Sequence, residues 1–424
     1  MKNTQKYSLK EKDLAIELEC HGETKYTKTS YPVKYGIFSR VETRDYIFEF
    51  NLNHEIKHAI SRKKDWPHPS EWLKRTMGND WIYYSSGGYS GVYEALGEYY
   101  LPNLMYPTNS LLGGKPFLEK EIDTIVSQWH QILLSCHTAH LPEPFAEWMT
   151  TALEQTPEKL NEKAQKLFDI CGSRVSVMPP DARHVDYNII PINISDGCLY
   201  KCRFCKIKNH KKFTVRSREN INTQMTGLKN LYRNDIINYN ALFLGEHDAL
   251  NAPEDVILET AQHAYDEFSF AASYMDSAFL FIFASVDSLL NKTDAFFKSL
   301  NDLGFQTCIN VGLESCDPDT LALIGKPITA EQVRDAFKKI QAINDSFPNI
   351  EVTCNFVMDE DLPDSHYNSV MALIRDGFKR PKPKGCVYFS PLKFGQPSRQ
   401  VLYDFYRLKT LSRLPTFLYL IQRL

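Results

Sequence analysis

Cys198, Cys202 and Cys205 stand in the run Gly-Cys-Leu-Tyr-Lys-Cys-Arg-Phe-Cys at 197–205, a C-x3-C-x2-C triplet. Thiolates are soft ligands that select iron–sulfur clusters or zinc. Three of them this close can hold three irons of a cubane [4Fe–4S] cluster and leave the fourth iron open to a substrate or cofactor. A structural zinc site normally takes four protein ligands, and His210 is the only near fourth donor. The remaining cysteines, at 20, 136, 171, 308, 316, 354 and 386, are scattered and read as small buried apolar residues.

The patterning says which elements must hold the triplet. Met178-Pro179-Pro180-Asp181 interrupts helical periodicity. It divides the chain into an accessory domain at 1–180 and a core at 181–395, followed by a helical extension at 396–424. In the accessory part, Tyr35, Ile37, Ser39 and Val41, then Tyr46, Phe48, Phe50 and Leu52, alternate like a hairpin. Residues 117–134 and 160–170 are amphipathic at helical spacing. This part is therefore expected to be mainly helical with a small hairpin. Past the boundary, short apolar runs at 189–194, 241–244, 279–284, 308–313, 352–358 and 387–389 alternate with helical segments at 217–233, 254–269, 289–303, 329–344 and 365–378. Thr329 with Gln332 makes a capping box, and Pro318 after Asp317 suits a first helical position. Such alternation implies an α/β fold with a parallel sheet and crossover helices. About six units give a partial (β/α)6 TIM-like barrel rather than a closed eight-fold one.

In parallel α/β folds the active residues gather where strands end. The cysteine loop follows the first strand, Gly245-Glu246-His247-Asp248 the second, Ser285 the third and Gly312-Leu313-Glu314-Ser315 the fourth, while Asn355 lies within the fifth. Over about residues 185–395 the chain resembles the radical S-adenosylmethionine (SAM) superfamily. The strongest element is C-x3-C-x-aromatic-C, with Phe204 as the aromatic. The stretch from Asn310 to Leu321, then Ile324-Gly325-Lys326, is similar to the fourth-strand segment of the elongator-like and methylthiotransferase-like branch, and residues 243–250 to its second-strand segment. The resemblance implies that Cys198, Cys202 and Cys205 ligate a [4Fe–4S] cluster. It implies that Glu246, beside Gly245, meets the SAM amino group, that Ser285 and Glu314 contact the ribose or amino-acid part, and that Phe204 and Val311 lie near the adenine. Asn355 belongs to the same cofactor-binding set. The implied activity is reductive cleavage of SAM, with a low-potential donor of the flavodoxin or ferredoxin type. Two departures stand out: Gly245-Glu246 is followed by His247 where the family has Gly-Gly-Glu-Pro, and 359–364 is acidic where the family has a glycine-rich turn.

Other signals point elsewhere. His54-Glu55-Ile56-Lys57-His58 matches H-E-x-x-H, which on a helix could bind zinc for hydrolysis; Glu71, Glu94 and Glu98 are the available third ligands. A second alternative is an iron–sulfur binding or redox-sensing protein without SAM cleavage. Residues 197–218 hold no acid but carry Lys201, Arg203, Lys206, Lys208, His210, Lys211, Lys212, Arg216 and Arg218, a collar that could attract an anionic substrate, a nucleic acid or an acidic donor. Tyrosines and glycines crowd 81–106, where Tyr89, Tyr93, Tyr106, Gly87, Gly88 and Gly91 surround Ser90. The stretch 401–424 is amphipathic and ends apolar at 417–421, suited to packing across the barrel. The net charge of −3 argues against a chain coated by nucleic acid. No apolar stretch approaches bilayer-spanning length, and the first residues lack a signal-peptide core, so a cytoplasmic setting without a membrane partner is expected.

Overall fold

Apolar runs interrupted by capped helices build the core of the molecule. Its computed structural model describes residues 7–11, 13–26, 34–66, 69, 71–84, 98–100, 119–136, 141–177, 183–205, 211–392, 399–418 and 422–423. Ser90 with its neighbouring tyrosines and glycines, Glu94, the prolines of the expected boundary, and Lys206, Lys208 and His210 lie outside the described residues.

Among the described residues, seven strands form one parallel sheet in sequence order: Ile190–Asn193, Ala241–Gly245, Ala278–Ala284, Phe305–Glu314, Ile350–Met358, Val387–Pro391 and Thr416–Leu418. The first six fall on the six expected runs and make the partial TIM-like barrel. Side chains two apart share a face, so the register stacks Cys308, Asn310 and Gly312 of the fourth strand beside Glu351, Thr353 and Asn355 of the fifth. The bottom, middle and top layers of the barrel interior follow from that pairing.

The crossover helices begin where their caps sit. Thr329 Oγ1 accepts from Gln332 N at 3.2 Å while Gln332 Oε1 accepts from Thr329 N at 2.9 Å, opening the helix Ala330–Ser346. Asp317 Oδ2 accepts from Thr320 N at 2.9 Å, ahead of Pro318–Ile324. The helix expected over 289–303 is two, Val286–Asn291 and Asp294–Asn301, because Thr293 caps a new start. The extension expected to be helical is a helix, Arg399–Leu411, followed by the seventh parallel strand. Thr416 and Leu418 are buried there; a strand this short leaves too little periodicity to show in the sequence.

The accessory part corrects the expectation of mainly helical structure. Its strands Tyr7–Lys10, Leu14–His21, Ile37–Thr43, Tyr46–Phe50, Ile56–Ser61, Trp72–Arg75, Trp81–Tyr84 and Glu98–Tyr100 form an eight-stranded antiparallel meander among the described residues. The expected hairpin is its centre, and the helices Glu119–Ser135, Phe145–Leu153 and Pro157–Cys171 accompany it. The strands escaped notice because Ile56–Ser61 and Trp72–Arg75 are buried at every position. Alternation is lost when both faces are covered, and the polar side chains buried there hide an apolar run.

Those polar side chains anchor the sheet to the barrel. Lys74 Nζ reaches Asp186 Oδ2 at 2.9 Å, Asn188 Oδ1 at 2.9 Å and Tyr35 Oη at 3.0 Å. Asn238 accepts from Ile37 N at 2.7 Å and donates to Ile37 O at 2.9 Å. Asp186 and Asn188 precede the first barrel strand and Asn238 the second. The described sheet thus docks where the barrel strands begin, opposite the cysteine loop. No helix among the described residues is long and apolar enough to cross a membrane.

Candidate functional site

The strand ends enclose a cleft with about 1010 Å³ of empty space, open solvent included. Cys198, Cys202, Phe204 and Cys205 of the loop after the first strand line it, with Ser285 after the third, Gly312 and Glu314 ending the fourth, and Asn355 on the fifth. Seven of these lining residues are ones the sequence places at one site. Gly245, Glu246 and Val311, from the same set, are not among the lining residues. Val311 is fully buried and falls between Asn310 and Gly312, so it faces the opposite side of its strand. Glu246 is buried beside His247, whose Nε2 lies 3.7 Å from Glu246 Oε2, and it is His247 that lines the cleft.

Lys326, to which the sequence assigns no role, also lines the cleft. It is buried, with Nζ 3.6 Å from Glu314 Oε1 and 5.1 Å from the centre of the Tyr200 ring. Its position beside Gly325 in the quoted Ile-Gly-Lys segment was the available signal. Lys326 therefore joins the cysteine loop to the end of the fourth strand. Tyr200 adds a second tie, donating from its hydroxyl to Asp287 Oδ2 at 2.8 Å and accepting from Asp287 N at 3.1 Å. Arg203 N donates to Ile324 O at 2.9 Å, a third. Phe204 packs on Ile324, Val357 and Leu362. Glu314 is aimed into the cleft by a bulge that shifts register between Gly312 and Glu314, and it adopts the left-handed region at φ 68°. Non-glycine residues held there cluster at functional sites.

Charge is finely distributed. Burial pushes the Cys198 thiol up to about 11, against a hydrogen bond from Tyr200 N. Burial also raises Cys202, with Lys326 opposing. Glu314 is raised by burial and pulled back by Lys326. One ammonium thus stabilises negative charge on both sides of the cleft. Behind it, Asp248 Oδ1 accepts from Ser285 N and Ser288 Oγ, each at 2.8 Å, fixing the start of the helix that Ser285 caps. Asn355 and Asn310 exchange side-chain hydrogen bonds at 2.8 and 3.1 Å, setting the cleft floor.

Gly245 ends the second strand against Asn193. A Cβ there would stand 2.3 Å from Asn193 Oδ1, and Asn193 cannot yield freely. Its side chain donates to Cys171 O at 2.9 Å and Ser173 Oγ at 3.1 Å. Gly245→Ala is expected to lower the unfolding free energy by about 1–3 kcal/mol through overpacking, measured by denaturant titration against the parent. A change below ~0.5 kcal/mol, the usual range for neutral substitutions, would contradict this geometry.

The H-E-x-x-H residues are not on a helix. His54 sits in a turn at φ 62° and His58 on the strand Ile56–Ser61. His58 Nδ1 meets Glu49 Oε2 at 3.2 Å, while Glu55 pairs with Lys163 and with Arg75 at 3.6 Å. Glu55 thus serves structural ion pairs, and His58 a hydrogen bond within the sheet that burial keeps toward the neutral imidazole. The basic collar is partly neutralised by acids outside its run. Arg216 and Lys211 meet Asp196 at 2.8 and 3.3 Å, and Arg218 meets Glu259, with Asp255 at 2.9 Å.

Residues 192–372 match the family model described as the radical SAM superfamily. No curated protein sequence matches the chain. Among solved structures, the cobalamin-dependent S-adenosylmethionine radical enzyme OxsB is similar at 17% identity and a TM-score of 0.32, over 53% of this chain and 31% of that one. The radical S-adenosylmethionine methyltransferase TsrM from Kitasatospora setae is similar at 16% identity and 0.31, over 52% and 40%. Methylornithine synthase (PylB) is similar at 13% identity and 0.35, over 72% and 77%. The chain thus spans about a third of the length of the first of these structures. The match to the radical SAM superfamily model over 192–372 thus falls on the barrel and covers less than half of the chain.

Proposed function

We propose that this protein is a radical SAM enzyme, with Cys198, Cys202 and Cys205 holding a [4Fe–4S] cluster and the adjoining cleft holding SAM. The observation that carries the reading is the shared cleft: the three thiols face the same space as Ser285, Glu314 and Asn355. Their spread suits a cluster better than one ion. Donors gathered within 4.8 Å of one another in groups of three or more occur once among the described residues, and the triplet is not that group. Thiolates on separate irons stand further apart than thiolates sharing one zinc. When bound, the pair supplies reductive C–S cleavage of SAM, giving methionine and a 5′-deoxyadenosyl radical for hydrogen abstraction.

The residues divide the remaining work. Lys326 offsets thiolate charge and holds Glu314 in place. Glu314 and Ser285 present oxygen acceptors to the ammonium and hydroxyls of SAM, and Glu246 stands behind them beside His247. Phe204 gives an apolar wall for the adenine. Phe283, Pro391 and Leu392 make the rest of the lining largely apolar, which excludes water from reactive groups. The barrel is the catalytic unit in this reading, and the described accessory sheet docks where its strands begin. The electron would come from a low-potential flavodoxin or ferredoxin type donor, in a reducing compartment such as the cytoplasm. An anionic substrate would meet the exposed, unshared part of the basic collar.

Anaerobic reconstitution tests the reading. Expected are about four irons and four sulfides per chain, with an electron paramagnetic resonance signal from the reduced cluster that changes when SAM is added. A four-iron cluster indifferent to SAM would overturn it in favour of redox sensing.

A further inference from the structure

Three more donors meet at the opposite end of the barrel. Cys308 and Glu351 are register partners on the fourth and fifth strands. His184 approaches them from the segment ahead of the first strand. One ligating atom from each lies within 4.8 Å of the others, and they are the group of this kind among the described residues. At ~3.3 Å per residue, Cys308 lies roughly 20 Å along its strand from Glu314, so this group is separate from the cleft.

The surroundings aim the donors. Glu351 Oε1 accepts from Gly385 N and from the Cys386 thiol, both at 3.2 Å. That turns Oε2 toward His184 Nε2, 4.0 Å away. The His184 ring stacks on Phe279 with centroids 5.4 Å apart and planes at 22°. Its Nε2 is buried and has no hydrogen-bond partner among the described residues. Arg183 bonds Cys386 and stands 4.0 Å from Glu351 Oε1, the oxygen turned away from His184. A carboxylate hydrogen-bonded on one oxygen is the outer-shell arrangement of a metal ligand, and the stacked imidazole keeps a buried Nε2 available beside it.

The geometry points to a second metal site, for a zinc-class divalent cation held by His184 Nε2, Cys308 Sγ and Glu351 Oε2. Thiolate, imidazole and carboxylate together are zinc's donor set, too soft for magnesium or calcium. Donors on one tetrahedral zinc lie roughly 3.3–3.8 Å apart, so closure asks for a shift of about 1 Å. His184 also lines a hollow with Tyr35, Asn188 and Asn240, from which water would complete the coordination. The role is structural: the ion would clamp the segment carrying Asp186 and Asn188, which receive the accessory sheet, to two barrel strands. This inference does not rest on the radical SAM reading.

The test uses the full chain with Cys198, Cys202 and Cys205 replaced by alanine, so that no cluster competes. Anaerobic titration with cobalt(II) is expected to saturate at one equivalent with a thiolate-to-cobalt charge-transfer absorption, displaced by zinc, and zinc should raise the melting temperature. Cys308→Ser should remove the absorption, Glu351→Gln should weaken binding about ten-fold or more, and Cys386→Ser should keep the absorption. Absence of stoichiometric binding, or a thiolate band surviving Cys308→Ser, would overturn the site. If Cys308→Ser does not fold, unchanged cobalt affinity in His184→Ala or Glu351→Gln overturns it equally.

Discussion

Replacing Cys202 by alanine is expected to strip the chain of its four-iron cluster and abolish SAM cleavage, while the fold survives. Three thiolates are the minimum set that leaves one iron open, so no protein ligand stands in reserve. Among the described residues, neither Cys198 nor Cys205 belongs to a compact donor group that could compensate. Cys202 is also the buried member of the triplet, close enough to Lys326 for the ammonium to favour its thiolate. Stability should change little, because the loop is tied down by other residues: Tyr200 to Asp287, Arg203 to Ile324, Phe204 to the apolar patch beneath. Iron analysis after anaerobic reconstitution and a thermal melt check both halves. Retention of about four irons per chain in Cys202→Ala would contradict the ligand assignment.

The second large effect is on folding. Lys74→Ala is expected to cost about 3–5 kcal/mol, the usual loss when one partner of a buried ion pair is removed. The Lys74 and Asp186 side chains are each only 2% exposed, so the carboxylate left behind cannot recover its hydration. Tyr35 Oη would lose the Lys74 ammonium and keep only its bonds with Asp186 and Asn188; burial and the Asp186 charge already hold the hydroxyl firmly protonated. The loss should fall on the contact between sheet and barrel, because Lys74 belongs to the sheet and Asp186 to the approach to the first barrel strand. Urea unfolding of the full chain measures it. Asp186→Asn combined with Lys74→Met, which removes both charges, should recover much of the loss. A loss under ~1 kcal/mol for Lys74→Ala, the range of exposed pairs, would show that the network is wet.

The contrast between the two halves shows what a sequence discloses. Barrel strands are short apolar runs separated by helices with visible caps, so Thr329, Asp317 and the six runs are legible in the sequence. The shared cleft at their ends was legible for the same reason: once the strands are placed, Cys198, Ser285, Glu314 and Asn355 must share a rim. The sheet of the accessory part was hidden because its central strands carry Lys57, His58, Lys74 and Arg75 in buried positions, where the pairing partners Glu49, Glu55 and Asp186 are remote in sequence. The same blindness made His54, Glu55 and His58 resemble a metal motif. Long-range neighbours also account for what was missed at either end of the barrel. Lys326 matters through Glu314 and Tyr200, and the scattered Cys308 gains meaning only beside Glu351 and His184.

The most direct measurement is the yield of 5′-deoxyadenosine from SAM. The reconstituted full chain, incubated anaerobically with SAM and dithionite, should form 5′-deoxyadenosine and methionine in equal amounts. Formation should need the reductant and fall to background in Cys202→Ala. A chain that holds its four-iron cluster yet forms no more 5′-deoxyadenosine than that variant would contradict the claim that this cleft cleaves SAM.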